Sequence, residues 1–230
     1  MSKLSNLEKR IGIFFKNKDL LQQALIHRSY LNENHDFYLG HNERLEFLGD
    51  AVLEIIVTEY LYLNFPNSPE GDLTNWRASL VNSKMLFSVA SNLGVEDYLF
   101  LSKGESKDKN SKARQYILAN SIEAIIGSIY LDQGIELSKK FVVENIIPEL
   151  DDIIKSKSYL DPKSRFQECS QEKFGITPIY KVLKEEGPDH NKHFTVGLFL
   201  EDELVSTGSG GSKQEAQVDA ADKGIKIKNW

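Results

Sequence analysis

Four acidic residues recur at helical spacing between positions 43 and 54, and they are the first residues of this sequence that could do chemistry. They are Glu43, Glu46, Asp50 and Glu54. At about 100° per residue they fall within one arc of a helix. Like charges at these spacings repel one another by about 0.2–0.5 kcal/mol per pair, and a bound cation would relieve that repulsion. The solvated face of an amphipathic helix is the competing interpretation of the same stripe.

Another carboxylate, outside this stripe, lies in a segment that is apolar on nearly every side. The segment runs from 116 to 131 and predicts a buried helix. Glu123 lies inside it, with Asn120 three positions earlier on the same side. A buried carboxylate is costly unless it is paired or bound to metal. Two interpretations stay open: an ion pair with Arg44, Arg77 or Arg114, or a metal ligand.

Oxygen atoms from both segments would meet if the two helices face each other. The converging side chains would be Glu46, Asp50, Asn120 and Glu123. Carboxylate and amide oxygens suit Mg²⁺ or Mn²⁺, which keep several waters when bound. The pattern therefore indicates a site for a hard divalent cation. Nucleophile schemes fit less well, because Cys169 has no evident base and no G-x-S-x-G or Walker sequence occurs.

The composition is that of an ordinary globular protein with an acidic balance. Of 230 residues, 40% are hydrophobic and 27% charged, and the formal net charge is −6. No segment approaches the roughly 18 consecutive apolar residues of a membrane span, and no apolar signal region opens the chain. We expect a soluble, cytoplasmic protein without membrane contacts. The acidic balance means that a polyanionic partner would have to be held by local clusters.

The pattern along the chain predicts two domains. Residues 1–157 read as almost entirely helical, with predicted loops at 64–72 and 104–111. The second loop belongs to the densest basic segment, from Lys103 to Arg114, which we interpret as solvated. Residues 158–230 predict the order α-β-β-β-α. Asp161 and Pro162 start the first helix of this part, and a capping box of Ser212 and Glu215 starts the last.

The acidic segments closely resemble those of ribonuclease III, the bacterial endonuclease specific for double-stranded RNA. The resemblance is strongest over the run from Asn42 to Leu53, which matches the family signature at nearly every position. The matching segments elsewhere are 25–30, 70–73, 77–81 and 122–127, with 187–190 and 208–213 in the C-terminal part.

This resemblance implies an all-α ribonuclease III endonuclease domain followed by an α-β-β-β-α double-stranded-RNA-binding domain. It implies a homodimer with Phe47 at the interface, and Mg²⁺ as cofactor with Mn²⁺ as a possible substitute. Glu46, Asp50 and Glu123 match the acidic metal ligands of the family, with Asp50 and Glu123 expected to be catalytic. Supporting acidic roles fall to Glu43 and Glu70. The fourth ligand is normally aspartate, and here it is Asn120.

The activity implied is hydrolysis of duplex RNA to 5′-phosphate and 3′-hydroxyl ends, in the processing of ribosomal, messenger and transfer RNA precursors. The RNA contacts implied in the C-terminal domain are Ser164, Gln167, Glu168, His190, Ser212 and Lys213. Asn120 leaves one alternative open, which is a duplex-binding protein on the same scaffold that cuts weakly or not at all. Asn120→Asp should then lower the metal requirement for cleavage.

Overall fold

The structure is a computed structural model that describes residues 3–108, 111–157, 159–188 and 192–230. The chain divides into two compact units, Met1–Lys155 and Ser156–Trp230. The division lies close to the boundary between 157 and 158 that the sequence pattern predicts. No helix in the described ranges has the length and apolar character needed to cross a membrane.

The first unit is built from helices, as expected. They are α1 (Lys3–Ile11), α2 (Lys18–Ala24), α3 (Arg28–Glu33), α4 (Glu43–Asn64), α5 (Glu70–Val81), α6 (Ser83–Asn92), α7 (Lys103–Lys107), α8 (Lys112–Gln133), α9 (Ile135–Asn145) and α10 (Leu150–Ser156). Short 3₁₀ turns cover Val95–Tyr98 and Ile147–Glu149. The predicted loop at 64–72 corresponds to the connection between α4 and α5.

The predicted loop at 104–111 is wrong in its first part, because residues 103–107 form α7. Ser102 caps this helix by accepting a hydrogen bond from the Glu105 N–H. At the other end, the buried Arg114 guanidinium donates to the carbonyl oxygens of Glu105 (2.5 Å) and Asp108 (3.2 Å). Both ends of a one-turn helix therefore have partners for their backbone groups. Arg114 is buried, so the basic segment is not uniformly solvated.

Two glycines allow α4 and α8 to cross with their backbones almost in contact. A Cβ atom on Gly49 would lie 1.7 Å from the carbonyl oxygen of Glu123. A Cβ atom on Gly127 would lie 2.3 Å from the carbonyl oxygen of Leu45. No side chain larger than hydrogen fits at either position without moving a helix. The crossing sets the first turns of α4 against the middle of α8, which is buried along most of its length.

The second unit has the predicted order of one helix, three strands and a final helix. The elements are α11 (Pro162–Phe174), β1 (Ile179–Glu186), β2 (His193–Leu200), β3 (Glu203–Gly210) and α12 (Lys213–Lys228). The strands form an antiparallel sheet in the order β1-β2-β3. Both helices pack on one face of this sheet around Phe166, Leu198 and Ala220.

Both predicted helix starts in this unit are present. Asp161 accepts hydrogen bonds from the backbone N–H groups of Lys163 and Ser164. Ser212 accepts from the N–H of Glu215, as a capping box requires. The Glu215 carboxylate reaches back one residue further than expected, to the N–H of Gly211 at 2.9 Å.

Candidate metal centre

The two acidic segments meet where α4 crosses α8. Glu46, in the first turn of α4, accepts a hydrogen bond from the Nδ2 of Asn120 on α8 at 2.8 Å. Glu123 lies one turn further along α8, close enough to Asp50 and Glu46 for their negative charges to raise its pKa. Glu46, Asn120 and Glu123 are partly buried, and Asp50 is exposed. The structure therefore brings together the four side chains that the sequence pattern combined.

Electrostatics at the crossing favours a bound cation. Burial, with the neighbouring charges of Asp50 and Glu46, raises the pKa of Glu123 to about 7. Burial also raises the pKa of Glu46 above its ordinary value. The hydrogen bond from Asn120 opposes that rise, whereas the charges of Glu43 and Asp50 add to it. A carboxylate whose pKa is raised in this way is destabilised when ionised, and a cation beside it would reverse the effect.

The rest of the acidic stripe is compensated by basic side chains. Glu43 lies 3.8 Å from both Arg28 and His41. Glu54 pairs with Arg77 at 3.2 Å. In the described part of the chain, no ion pair involves Glu46, Asp50 or Glu123.

The alternative of a buried ion pair at Glu123 is therefore wrong for the arginines that could have supplied it. Arg77 binds Glu54, and it also donates to the Thr58 hydroxyl at 3.1 Å. Arg114 lies 3.8 Å from Glu96 and donates to backbone carbonyls. No arginine of the described residues forms an ion pair with Glu123.

The four side chains are of the types that bind a hard divalent cation, although they are not yet arranged as its ligands. Three carboxylates and one amide oxygen are ligands that Mg²⁺ accepts, and no basic side chain in the described ranges forms an ion pair with the three carboxylates. Within the described ranges, no three His, Cys, Asp or Glu side chains are already grouped as metal ligands. Like charges without a cation between them repel, and the Asn120 amide already binds one oxygen of Glu46.

Phe47 and Glu70 lie away from this centre. Phe47 follows Glu46 but points into solvent, with 81% of its surface exposed. Glu70 begins α5, accepts a hydrogen bond from the Thr74 hydroxyl at 2.8 Å and lines a depression beside Tyr62. Because α5 packs against the C-terminal half of α4, Glu70 and Glu46 of one chain line different depressions.

The predicted RNA contacts lie on the helices of the second unit. Ser164, Gln167, Glu168, Ser212 and Lys213 are all exposed. The N-terminal ends of α11 and α12 lie side by side, because Pro162 and Ser212 line one depression and Lys163 donates to the Gln217 side chain at 2.7 Å. The Nζ of Lys213 lies 5.7 Å from the centre of the Phe194 ring. His190 lies outside the described residues.

Two features of the centre did not emerge from the sequence pattern. One is the hydrogen bond from Asn120 to Glu46, which joins positions 74 residues apart. The other is the pair of glycines at the helix crossing. Isolated glycines inside strongly helical segments were a usable signal for a close helix contact, since glycine there is otherwise unfavourable.

Comparison with known proteins covers both units. A family model described as ribonuclease-III-like matches residues 17–150, and a model of the double-stranded RNA binding motif matches residues 162–227. Proteins named Ribonuclease 3 from Dehalococcoides mccartyi and Enterococcus faecalis are each 41% identical to this chain. The matches cover 98% and 96% of this chain, and 94% and 96% of those proteins.

Solved structures of a nuclease domain agree with the helical unit. A 2.2 Å crystal structure of the ribonuclease III nuclease domain from Campylobacter jejuni is 39% identical, with a TM-score of 0.58, over 65% of this chain and 97% of that one. A second structure of that domain has a TM-score of 0.57, over 64% of this chain and 97% of that one. It is described as showing flexibility in a region involved in dimer formation.

Proposed function

This chain belongs to the ribonuclease III family, and from that premise we propose how its residues cut double-stranded RNA. The protein is a double-stranded-RNA endoribonuclease with a helical nuclease domain and a C-terminal RNA-binding domain. One observation carries the proposal: Glu46, Asp50 and Glu123 meet at the crossing of α4 and α8, and none of them forms an ion pair with a basic side chain that the structure describes. The alternative of a duplex-binding protein without cleavage is not favoured, because nearly the whole chain aligns with proteins named as ribonucleases.

Family membership makes the enzyme metal-dependent, and Mg²⁺ is the cation that we assign, with Mn²⁺ as substitute. Glu46, Asp50, Asn120 and Glu123 would hold it through oxygen atoms. When bound, the cation supplies an acidified water near neutral pH and stabilises negative charge on the phosphodiester. Glu123 must release its proton to act as a ligand, which its pKa of about 7 allows at neutral pH.

We assign the orientation of the attacking water to the exposed carboxylate of Asp50. Asp50 accepts a hydrogen bond from the attacking water and orients it toward phosphorus. The water oxygen forms a new bond to phosphorus, and the bond from phosphorus to the 3′ oxygen breaks. The phosphate stays on the 5′ end of the downstream fragment. The attacking water gives up one proton, and the departing 3′ oxygen takes up one proton to become a hydroxyl. Glu43, which lies 3.8 Å from both Arg28 and His41, lines the depression that Glu46 and Asn120 also line.

The C-terminal unit would bind the duplex through exposed side chains at the two helix N-termini. Duplex RNA is recognised by its A-form shape through 2′-hydroxyl and phosphate contacts. Lys213 is in the first turn of α12, where free backbone N–H groups and the helix dipole also favour a phosphate. Ser164, Gln167 and Glu168 would face the minor groove from α11. The proposed substrates are ribosomal, messenger and transfer RNA precursors in the cytoplasm.

Lys213→Ala tests the phosphate contact. We expect weaker binding to a long duplex and a salt dependence reduced by about one unit of slope. Lys226→Ala is the matched control, because Lys226 lies on the same helix but is exposed at its other end and paired with Asp222. Equal effects of the two substitutions would contradict the assignment.

An exposed apolar face on α4 supports a homodimer. Phe47, Ile55 and Tyr62 share one side of the helix and are 81%, 59% and 72% exposed. Aromatic side chains of this kind are enriched at protein interfaces. We expect Phe47→Asp to convert the protein to monomers in analytical ultracentrifugation. Ile227→Asp, at an exposed apolar position of α12, should leave the mass unchanged.

A cleavage assay on a long RNA duplex tests the whole proposal. The wild-type protein should cut in Mg²⁺ or Mn²⁺ and should bind without cutting in Ca²⁺. The products should carry 5′-phosphate and 3′-hydroxyl groups. Binding without cleavage at any concentration of Mg²⁺ or Mn²⁺ would favour the alternative of an inactive duplex-binding protein.

A further inference from the structure

Asn120 is the position where this chain departs from the family pattern, and its side chain has a definite partner. An ionised carboxylate can only accept hydrogen bonds, so the short contact with Glu46 must use the Nδ2–H of Asn120 as donor. The carbonyl oxygen of the same amide takes no part in this contact, so it could serve as the ligand for a cation. Aspartate at this position would supply an oxygen ligand but no donor.

We propose that Asn120 is a positioning residue: its amide fixes the orientation of Glu46 and holds the acidic cluster together before a divalent cation binds. The inference rests on the proposed function, since it assigns one residue of the same centre a second task. It distinguishes Asn120 from the other three side chains, which only add negative charge.

The surroundings explain why such a donor matters. Glu46, Asp50 and Glu123 face one another across the helix crossing, and no described basic side chain forms an ion pair with them. The backbones of α4 and α8 are nearly in contact at Gly49 and Gly127, and this close packing holds the carboxylates of the two helices near each other. Among the described side chains, only the Asn120 amide donates a hydrogen bond to one of these three carboxylates.

Asn120→Asp removes the donor and adds a fourth carboxylate at almost unchanged volume. In chelator, without RNA, we expect the midpoint of thermal unfolding of the nuclease unit to fall by roughly 3–8 °C. Mn²⁺ should then raise the midpoint of Asn120→Asp more than that of the wild-type protein, because the cation relieves the added repulsion.

Two double variants separate the hydrogen bond from the charge. Glu46→Gln with Asn120→Asp exchanges donor and acceptor, so the Gln amide can donate to the new carboxylate. Asp50→Asn with Asn120→Asp restores the same number of carboxylates but leaves carboxylates facing each other at positions 46 and 120, with no donor at either of these two positions. We expect the first pair to recover most of the lost midpoint and the second to recover clearly less.

The inference is overturned if Asn120→Asp unfolds at or above the wild-type temperature in chelator. It is equally overturned if the two double variants recover stability to the same extent, because charge alone would then account for the effect. Should Asn120→Asp fail to fold in chelator, the comparison between the two double variants still decides. All these readings are made on unfolding, so they stand apart from a failure of the cleavage assay.

Discussion

The two halves of α4 place carboxylates in opposite environments. In the second half, Glu54 pairs with Arg77 from α5, and Glu59 pairs with Lys139 from α9 at 2.6 Å. In the first half, Glu46 and Asp50 face the carboxylate of Glu123 on α8, and neither has a basic partner among the described residues. The four carboxylates Glu46, Asp50, Glu54 and Glu59 belong to one helix. The difference shows that the acidic residues available for chemistry are those that the neighbouring helices leave uncompensated.

The largest expected difference between the two halves is in cleavage. Glu123→Gln and Asp50→Asn should each lower kcat/KM on a duplex by roughly 10²–10⁴-fold, since they remove charge that holds the cation. Glu59→Gln should leave it unchanged, because Glu59 is exposed and already paired. Initial rates in saturating Mg²⁺ measure this. Comparable losses in all three variants would mean that the halves do not differ in function.

The next largest effect is on stability, at the crossing of α4 and α8 that brings the three carboxylates together. Gly49→Ala places a Cβ atom 1.7 Å from the Glu123 carbonyl oxygen, so one helix must move. We expect a loss of roughly 3 kcal/mol or more in unfolding free energy.

Gly71→Ala is the matched control for that substitution. Gly71 lies in α5 with no atom within 4 Å of an added Cβ. Alanine there should stabilise the protein by about 0.4–1 kcal/mol. Denaturant titration of both variants gives the comparison, and a tolerated Gly49→Ala would contradict the close contact.

A smaller effect is expected in metal affinity. Asn120→Asp adds a fourth negative ligand, from α8, to the three carboxylates of the centre, so the Mg²⁺ concentration for half-maximal cleavage should fall about tenfold. Titration of Mg²⁺ in the cleavage assay measures it, with Glu54→Gln as a variant outside the centre. An unchanged or raised requirement would show that position 120 does not contribute a ligand.

The last expected effect is a pH dependence of stability without metal. The pKa of Glu123 is raised from 4.5 to about 7, so the folded protein holds a proton that the unfolded chain has lost between these values. Stability should therefore fall as pH rises from about 4.5 to 7. Glu123→Gln should lack this part of the decrease. Thermal unfolding of both proteins in chelator across this range tests it, and parallel curves would contradict the raised pKa.

Some parts of the fold could be predicted because they depend on neighbouring residues. Asp161 and Ser212 cap their helices through bonds to N–H groups two or three residues away. Such contacts follow from residue type and spacing alone. The prediction of a loop at 104–111 was wrong in its first part for the opposite reason. The α7 helix depends on Arg114, whose side chain folds back from the next helix to bind its carbonyl groups.

The candidate site divides in the same way. Helical spacing identified the stripe on α4, and the apolar surroundings of Glu123 marked it as unusual. Spacing could not tell that Arg77 would bind Glu54 rather than Glu123. Nor could it show that Asn120 donates to Glu46.

The amino-acid sequence by itself determined the residue types at this centre, the helices that carry them and the order of elements in the second unit, because each depends on local spacing. The tertiary structure decided which carboxylates remain without basic partners. That outcome depends on how closely α4 and α8 approach each other at Gly49 and Gly127, which are 78 positions apart in the chain. Charge compensation acts over a few ångströms in space, and only the folded chain sets those distances.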